Sequence, residues 1–301
     1  MSVVDQYQDR DFRGYGADPP DPGWPGGARV AVSVVINVEE GSERSIRRGD
    51  GMNEPIYDML ADVPNDPDPV MESHFDFGPR VGYWRLMRIL SDFGIEATLS
   101  ACGETAEHYP WLFKDAVTRG HEVACHGWRW QALAGLAEDE ERRNIAQTFD
   151  ALGNAAGVPP AGWHTRTPPS VNTRRLLLEH GGFLYDSDAY DDELPRLIQR
   201  PNGPHVIMPY SLDTNDMRCQ LPNGFRHAED FSRYLIDAYD WLHQEGERWP
   251  RMMSIGLHLR IIARPGRIKG LVDTLAHIQA RGGAWFARRD RIARHWLERF
   301  G

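Results

Sequence analysis

The chain has 301 residues, with 44 acidic and 34 basic side chains and a formal net charge of −10 at pH 7. A chain of this length can bury a large core, and single α/β barrels often reach this size. An acidic chain without a Lys/Arg run gains nothing electrostatically from a polyanion, so we expect no nucleic acid partner. We expect no membrane partner either, because no segment is apolar for long enough to span a bilayer.

The first ten residues have neither the basic start nor the apolar stretch of an export signal, which favours a soluble, cytoplasmic protein. The cysteines Cys102, Cys125 and Cys219 lie far apart, without a Cys-x-x-Cys pair. This spacing argues against a disulfide framework and against a cysteine zinc site. We interpret Cys125 as a small apolar strand residue.

The predicted elements begin after a segment rich in Gly and Pro at residues 11–28, a composition typical of an ordered arm or a wrapping loop. We therefore assign residues 1–28 to an N-terminal arm and residues 29–301 to a single catalytic barrel. Strands are predicted at 29–38, 95–99, 122–126, 162–165, 183–186, 205–209, 252–258 and 284–287. Helices are predicted at 80–93, 104–118, 138–155, 172–180, 228–246, 267–281 and 289–299. This alternation predicts a parallel sheet that is closed, or nearly closed, into a barrel.

Residues 41–78 fit the alternation poorly, because they show little periodicity and many Asp, Asn, Gly and Pro residues. We interpret them as a long excursion on one face of the barrel. Loops of this length in a compact domain tend to be functional, and this one starts beside Glu39 and Glu40. We predict either a lid or a subunit contact.

Polar residues close five of the predicted strands. In parallel α/β proteins the reacting groups lie at the carboxyl ends of the strands. A single such residue could equally be a helix cap or the partner of a neighbouring carboxylate. Their joint placement favours a catalytic site, and the positions are Glu39-Glu40, His126, Thr165-Arg166, Asp186-Ser187-Asp188 and His258.

Two motifs resemble those of the polysaccharide deacetylase superfamily, also known by its NodB-homology fold. The first strand ends in Glu39-Glu40-Gly41 where those enzymes carry Asp-Asp-Gly. His126 is followed by Trp130 where those enzymes carry a second His, so that one ligand of their divalent cation is missing here. The resemblance implies an α/β fold, a distorted (β/α) barrel.

Within that superfamily the chain resembles the metal-independent allantoinase branch, which acts on cyclic ureides. The similar segments run along nearly the whole chain and include Arg13-Gly14-Tyr15-Gly16, Asn37-Val38-Glu39-Glu40-Gly41, Gly182-Phe183-Leu184-Tyr185-Asp186, Pro209-Tyr210-Ser211-Leu212-Asp213 and Ser254-Ile255-Gly256-Leu257-His258. Two loops depart from that branch, at His74-Phe75-Asp76-Phe77-Gly78 and around Trp163-His164-Thr165-Arg166. Loops at strand ends select ligands, so the resemblance implies carbon–nitrogen bond hydrolysis more directly than it implies allantoin.

Hydrolysis of an amide or ureide needs a base for water, a donor for the oxyanion and a proton for the departing nitrogen. The resemblance implies that Glu39 is the base and that Glu40 matches a metal ligand. Repulsion between these adjacent carboxylates should raise the pKa of one of them, although neighbours on a strand can face opposite sides. His126 is a candidate oxyanion donor.

The resemblance also implies that His258 protonates the leaving group, with Asp186 or Asp188 orienting its ring, and that Arg166 fixes the base. Trp130 is expected to line the substrate pocket because of its motif position, and Trp163 is a further candidate for its wall. Polar substrate edges could be bound by the remaining candidates, which are Asp186, Asn215, Asp216 and Arg218.

A catalytic metal normally has three protein ligands, and an indole cannot coordinate one. We therefore predict a site with no cofactor. The alternative is a zinc site in which Glu40 and His126 are joined by His258, or by His74 of the excursion.

The sequence thus favours a hydrolase of non-peptide carbon–nitrogen bonds, allantoinase-like or acting on a cyclic amide or imide by general acid/base catalysis. The expected partner is a small amide or ureide substrate, and we expect a homo-oligomer. One alternative is a metal-dependent deacetylase of an N-acetylated sugar or small amide. A second is a non-catalytic binding protein on the same barrel.

Overall fold

Strand β1 (Val30–Val38) lies next to the β8 edge of the sheet, and all nine of its residues are buried. In this computed structural model, which describes residues 11–55, 63–166, 168–201 and 203–301, β1 pairs in parallel with β8 (Arg251–His258) along one side. Its other side pairs with β2 (Thr98–Ala101) and β9 (Ala284–Phe286). A strand covered on both faces is expected to be a nearly continuous apolar run, and β1 is one apart from Ser33 and Asn37.

Beyond β2 the sheet continues through four more parallel strands and ends in an antiparallel one. The parallel strands are β3 (Glu122–Cys125), β4 (Gly162–Trp163), β5 (Tyr185–Asp186) and β7 (His205–Ile207). Strand β6 (Arg196–Ile198) pairs antiparallel with β7 at the edge. The sheet curls without closing, so the predicted α/β barrel is confirmed as a half-barrel.

Nine α-helices are found in the described ranges, and several follow a parallel strand, as the predicted alternation requires. They are α1 (Pro69–Phe77), α2 (Tyr83–Asp92), α3 (Gly103–His108), α4 (Pro110–Thr118), α5 (Glu138–Ala156), α6 (Thr173–His180), α7 (Ala228–Glu245), α8 (Pro265–Arg281) and α9 (Arg289–Phe300). None of them is long and apolar enough to cross a membrane.

Two of the helix predictions differ from the structure. The single helix expected at 104–118 is interrupted at Tyr109, because Pro110 has no N–H group and disfavours helical geometry in the residue before it. Helix α1 lies in the excursion, where no helix was predicted. It begins at Pro69, and the carboxylate of the preceding residue, Asp68, accepts hydrogen bonds from two backbone N–H groups of the first turn.

The Gly/Pro-rich arm is anchored to the barrel by Trp24. Its ring is 2% exposed and packs against Trp285, His295 and Trp296. Its indole N–H donates to the carbonyl oxygen of Arg251 at 2.9 Å. Residues 1–10 of the assigned arm lie outside the described residues, and the division at residue 28 stays a prediction.

The excursion is held against the loop that follows β3. The guanidinium of Arg129 makes two hydrogen bonds to Asp50, at 2.6 and 2.7 Å. Two buried residues of α1, Met71 and Phe75, pack with Trp130 on the same loop. The described parts of the excursion therefore pack against the carboxyl ends of the strands.

Candidate active site

Glu39 lies at the centre of the candidate site, directly after β1, and is 1% exposed. Its Oε1 atom is 3.4 Å from Nε2 of His126 and 3.3 Å from Nε2 of His258. Its Oε2 atom forms an ion pair with Nη2 of Arg260 at 2.7 Å, although the two groups are not aligned as a hydrogen bond. One carboxylate is thus surrounded by two imidazoles and a guanidinium.

The sheet register explains this convergence. His258 is the last residue of β8 and is paired with Asn37 on β1, two residues before Glu39. His126 directly follows β3, two strands away, at the same edge. The expectation that the side chains of Glu39, His126 and His258 meet at the carboxyl ends of the strands is borne out by these contacts.

His258 is oriented by Asp216. Its Nδ1 atom is 2.6 Å from Oδ1 of the aspartate. The other oxygen, Oδ2, accepts hydrogen bonds from the backbone N–H groups of His258 and Ile262, at 2.8 and 3.0 Å. Asp216 opens a 3-10 turn, and the strand bridge between Asn215 and Gly256 holds that turn beside β8. Asp216 was expected to contact substrate, and it is instead the partner of the histidine.

The prediction that Asp186 or Asp188 orients His258 is therefore wrong, since Asp186 ends β5 and Asp188 follows it, far across the sheet from β8. Asp186 is fully buried and is paired with Arg174 and with Nε2 of His205 at 2.9 Å. These partners also leave Asp186 no place as a substrate ligand. Asp188 accepts hydrogen bonds from the backbone and hydroxyl of Thr165, at 2.8 and 2.6 Å.

Arg260 fills the position that the resemblance gave to Arg166. It is 3% exposed, and its Nη1 atom lies 3.4 Å from Oε1 of Glu40 while Nη2 faces Glu39. Arg166 instead places its guanidinium 4.5 Å from the centre of the Trp130 ring. The sequence analysis missed Arg260, which stands two residues after His258 in the turn that follows β8.

These charges shift the acidities of the two carboxylates in opposite directions. Burial alone would raise the pKa of Glu39, but the positive charges of His258 and Arg260 and the hydrogen bond of His126 hold it well below its usual range. Burial raises the pKa of Glu40, and the charge of Glu39 adds to this against the opposing effect of Arg260. The repulsion expected from the sequence therefore raises the pKa of Glu40 and not that of the predicted base.

The pKa of His258 shifts upward. Burial would lower it, but the carboxylates of Glu39 and Asp216 outweigh burial and raise the pKa to about 9. At neutral pH the site thus holds an ionised Glu39 beside a protonated His258. A proton acceptor and a proton donor are present together.

His126 is held by the segment that follows β4. Its Nδ1 atom faces the carbonyl oxygen of His164 and lies 3.3 Å from the hydroxyl of Ser100. The rings of His126 and His164 are 5.0 Å apart, and His164 also packs on Tyr210, at 4.2 Å. These contacts orient the Nε2 atom of His126 toward Glu39.

The donor set does not fit a divalent cation. Within the described ranges no three His, Cys, Asp or Glu side chains are grouped to hold a metal ion. Arg260 pairs with both Glu39 and Glu40, and its positive charge would repel a cation placed between them. The suggested replacement ligand, His74, faces Nη2 of Arg264 at 3.2 Å. We therefore derive no catalytic step through a metal.

Of the remaining substrate-binding candidates, some lie beside the site and others do not. Trp130 lies beside the site, since Arg260 is 4.9 Å from its ring centre. Asn215 donates to the hydroxyl of Tyr210 at 3.1 Å. Trp163 was wrongly expected to line the pocket: it is fully buried in the core against Phe183, and its indole N–H donates to Thr165.

Arg218 also has a different role from the one expected. Its guanidinium lies 4.5 Å from the ring centres of Phe225 and Tyr234, and its Nη1 atom donates to the carbonyl of Asp213. These contacts tie the turn that contains Asp216 to helix α7. Substrate binding was expected in this segment because it is a run of polar residues. Such a run is equally typical of a turn.

The half-barrel carries a buried carboxylate and a histidine–aspartate pair at the carboxyl edge of its parallel strands, and hydrolases use groups of this kind. Residues 64–180 match the family model described as polysaccharide deacetylase. A protein of Schizosaccharomyces pombe named "Putative polysaccharide deacetylase" is 34% identical over 96% of this chain and 97% of its own length. The chain belongs to the polysaccharide deacetylase family, and it is a hydrolase of carbon–nitrogen bonds.

Two solved structures are similar over nearly the whole chain. One is described as a "probable Polysaccharide deacetylase" from Pseudomonas aeruginosa PAO1, with 40% identity and a TM-score of 0.93 over 97% of this chain and 98% of that one. The other is PuuE allantoinase, with 42% identity and a TM-score of 0.92 over the same shares. The resemblance seen in the sequence, to the superfamily and to its allantoinase-like branch, is confirmed.

Proposed function

We propose that this protein opens a carbon–nitrogen bond of a small cyclic ureide, cyclic imide or related amide, by acid/base catalysis without a metal ion. The observation that carries the proposal is the position of Glu39 between His258, His126 and Arg260. The similarity to PuuE allantoinase supports a ring ureide as the substrate class.

In the first step Glu39 accepts a proton from water as the water oxygen attacks the carbonyl carbon. A base must be ionised to do this, and the charges of His258 and Arg260 keep Glu39 ionised at neutral pH. The oxygen of the carbonyl group gains negative charge. His126 and Arg260 are the groups beside Glu39 that can face this oxyanion.

In the second step His258 donates the proton on Nε2 to the departing nitrogen, and the carbon–nitrogen bond breaks. The Nδ1 proton is already directed to Asp216, so Nε2 is the nitrogen that faces the reacting groups. The proton held by Glu39 then passes to Nε2 of His258, 3.3 Å away, which restores both groups. The products are a carboxylic acid and the released amine or amide nitrogen, and atoms and charge balance.

We interpret the excursion as a lid over this site. Phe75 of α1 packs on Trp130, with ring centres 5.9 Å apart, and Arg260 lies 4.4 Å from the ring centre of Phe75. The side chains of Glu39 and His258 are almost fully buried beneath it, so a substrate needs the excursion to move. The cytoplasmic location and the homo-oligomer stay predictions.

The test is an assay of the purified protein on allantoin, succinimide and N-acetylglucosamine, each before and after treatment with EDTA. Turnover of a ring substrate that survives chelation supports the proposal. Turnover that is lost on chelation and restored by zinc would establish the metal-dependent alternative. Absence of turnover with every substrate tested would contradict the proposed substrate class.

A further inference from the structure

Arg166 carries a positive charge that the described residues leave uncompensated. Its guanidinium lies 4.5 Å from the centre of the Trp130 ring. In the ranges that the structure describes, no carboxylate lies within ion-pair distance of it, whereas Arg129, Arg174 and Arg260 all have carboxylate partners. A stacked arginine with no acidic partner has its N–H donors available for another molecule.

The position of Arg166 connects it to the catalytic groups. The ring of Trp130 that carries Arg166 also lies 4.9 Å from the guanidinium of Arg260, which is paired with Glu39. The guanidiniums of Arg166 and Arg260 therefore both lie against the same indole. A substrate that places its scissile bond at Glu39 has this second guanidinium within reach of a neighbouring substituent.

The two guanidiniums differ in what they can bind. The charge of Arg260 is shared between Glu39, Glu40 and the reacting carbonyl group, so Arg260 is not placed to bind a separate carboxylate substituent. Arg166 is only partly buried and has no such partner in the described part of the chain. A neutral ligand that covered Arg166 would remove water from an unpaired charge, which is costly, whereas a carboxylate would pair with it.

We propose that Arg166 binds a carboxylate substituent of the substrate, so that the enzyme acts on an anionic amide or ureide in preference to a neutral one. Trp130 holds the planar guanidinium by stacking and leaves its edge open for a two-point contact with the carboxylate. This inference rests on the proposed function. The carboxylate meant here is already present on the substrate before the reaction. It is not the carboxylate that hydrolysis creates, which forms at the reacting carbon beside Glu39.

The test compares carboxymethyl hydantoin with carbamoylmethyl hydantoin, which have the same shape and differ in charge. The wild-type enzyme should have a kcat/KM about 10- to 100-fold higher for the carboxylate. Arg166→Ala should remove this preference by lowering turnover of the carboxylate alone, and Arg166→Lys should keep part of it. The matched control is Arg248→Ala, since Arg248 is an exposed arginine stacked on Trp249 at 4.3 Å outside the site.

Equal kcat/KM values for the two hydantoins, or an equal loss of both in Arg166→Ala, would overturn the inference and leave the proposed function standing. If neither hydantoin is hydrolysed, the proposed ring opening is wrong. The binding of a carboxylate by Arg166 is then tested separately, by calorimetry with ligands that are not rings. N-carbamoylaspartate should then bind the wild type about 10-fold or more tightly than N-carbamoylasparagine. Retention of that difference in Arg166→Ala would contradict the inference, and its loss there but not in Arg248→Ala would support it.

Discussion

Asp216 holds His258 at two places at once, by the ring and by the backbone. Its Oδ1 atom is 2.6 Å from Nδ1 of the ring, and Oδ2 accepts the backbone N–H of the same residue at 2.8 Å. The carboxylate therefore fixes the direction of the ring, the position of its proton and the end of β8. It also contributes to the raised pKa of His258, together with Glu39.

We predict that the activity of the wild-type enzyme falls as the pH rises through about 9, because His258 then loses the proton that it donates. In Asp216→Asn this alkaline limb should move to lower pH, by about one to three pH units, because the variant lacks a negative charge beside the ring. The measurement is the pH profile of kcat/KM. An unmoved limb in Asp216→Asn would show that another group titrates there, and Asp213→Asn, an exposed change in the same loop, should leave the profile unchanged.

The pair of His258 and Asp216 should also make the stability of the protein depend on pH. The direction of that dependence follows from the raised pKa of His258. The folded pKa of His258 is raised from 6.5 to about 9, so the protonated ring stabilises the folded state fully below about pH 6.5. That contribution is lost as the pH rises through about 9. The free energy of unfolding, measured with urea, should therefore differ between wild type and Asp216→Asn more at pH 6 than at pH 10, and an equal difference at both values would contradict the linkage.

Glu39→Gln should lower kcat by about 10²- to 10⁴-fold with little effect on the fold, because glutamine keeps the shape but cannot accept a proton from water. The measurement is kcat with saturating substrate, and circular dichroism reports on the fold. Glu107→Gln, an exposed change outside the site, is the control. A kcat near the wild-type value in Glu39→Gln would remove Glu39 from the role of base.

Arg260→Ala should destabilise the protein by about 3–5 kcal/mol, because it leaves the buried Glu39 and Glu40 without their shared cation. Urea unfolding at pH 7 measures the effect. Arg233→Ala removes an exposed i,i+4 ion pair and should change the free energy of unfolding by less than about 0.5 kcal/mol. Similar values for the two variants would show that the charges at the site are solvated and not held by Arg260.

The site residues that lie at the ends of strands could be predicted from the sequence. Glu39, His126 and His258 follow or end apolar strands, and parallel strands bring their carboxyl ends to one edge. Their meeting could be predicted because it depends only on strand order and direction. The family resemblance supplied the roles, and the loss of a ligand at Trp130 supplied the argument against a metal.

The partners of those residues could not be predicted in the same way. Asp216 reaches His258 through a single bridge between Asn215 and Gly256, a contact between segments distant in sequence that periodicity does not reveal. Arg260 replaces Arg166 because the chain turns after β8, and strand alternation alone does not fix the direction of a side chain beyond the strand. Helix α1 was missed because its buried apolar face consists of Met71 and Phe75 alone.

The bidentate pair between Arg129 and Asp50 joins the excursion to the loop that contains Trp130, so it should control access to Glu39. In Asp50→Asn the charge-assisted pair is lost, and the excursion should open more often. We expect faster cleavage of the native protein by trypsin and a KM about 10-fold higher, because binding energy must then also order the excursion. Arg47→Gln removes an ion pair to Glu72 whose arginine is 58% exposed, and it should change neither quantity by more than about twofold. If Asp50→Asn altered kcat and left KM and proteolysis unchanged, the pair would be acting on the catalytic groups, and the excursion would not be a lid.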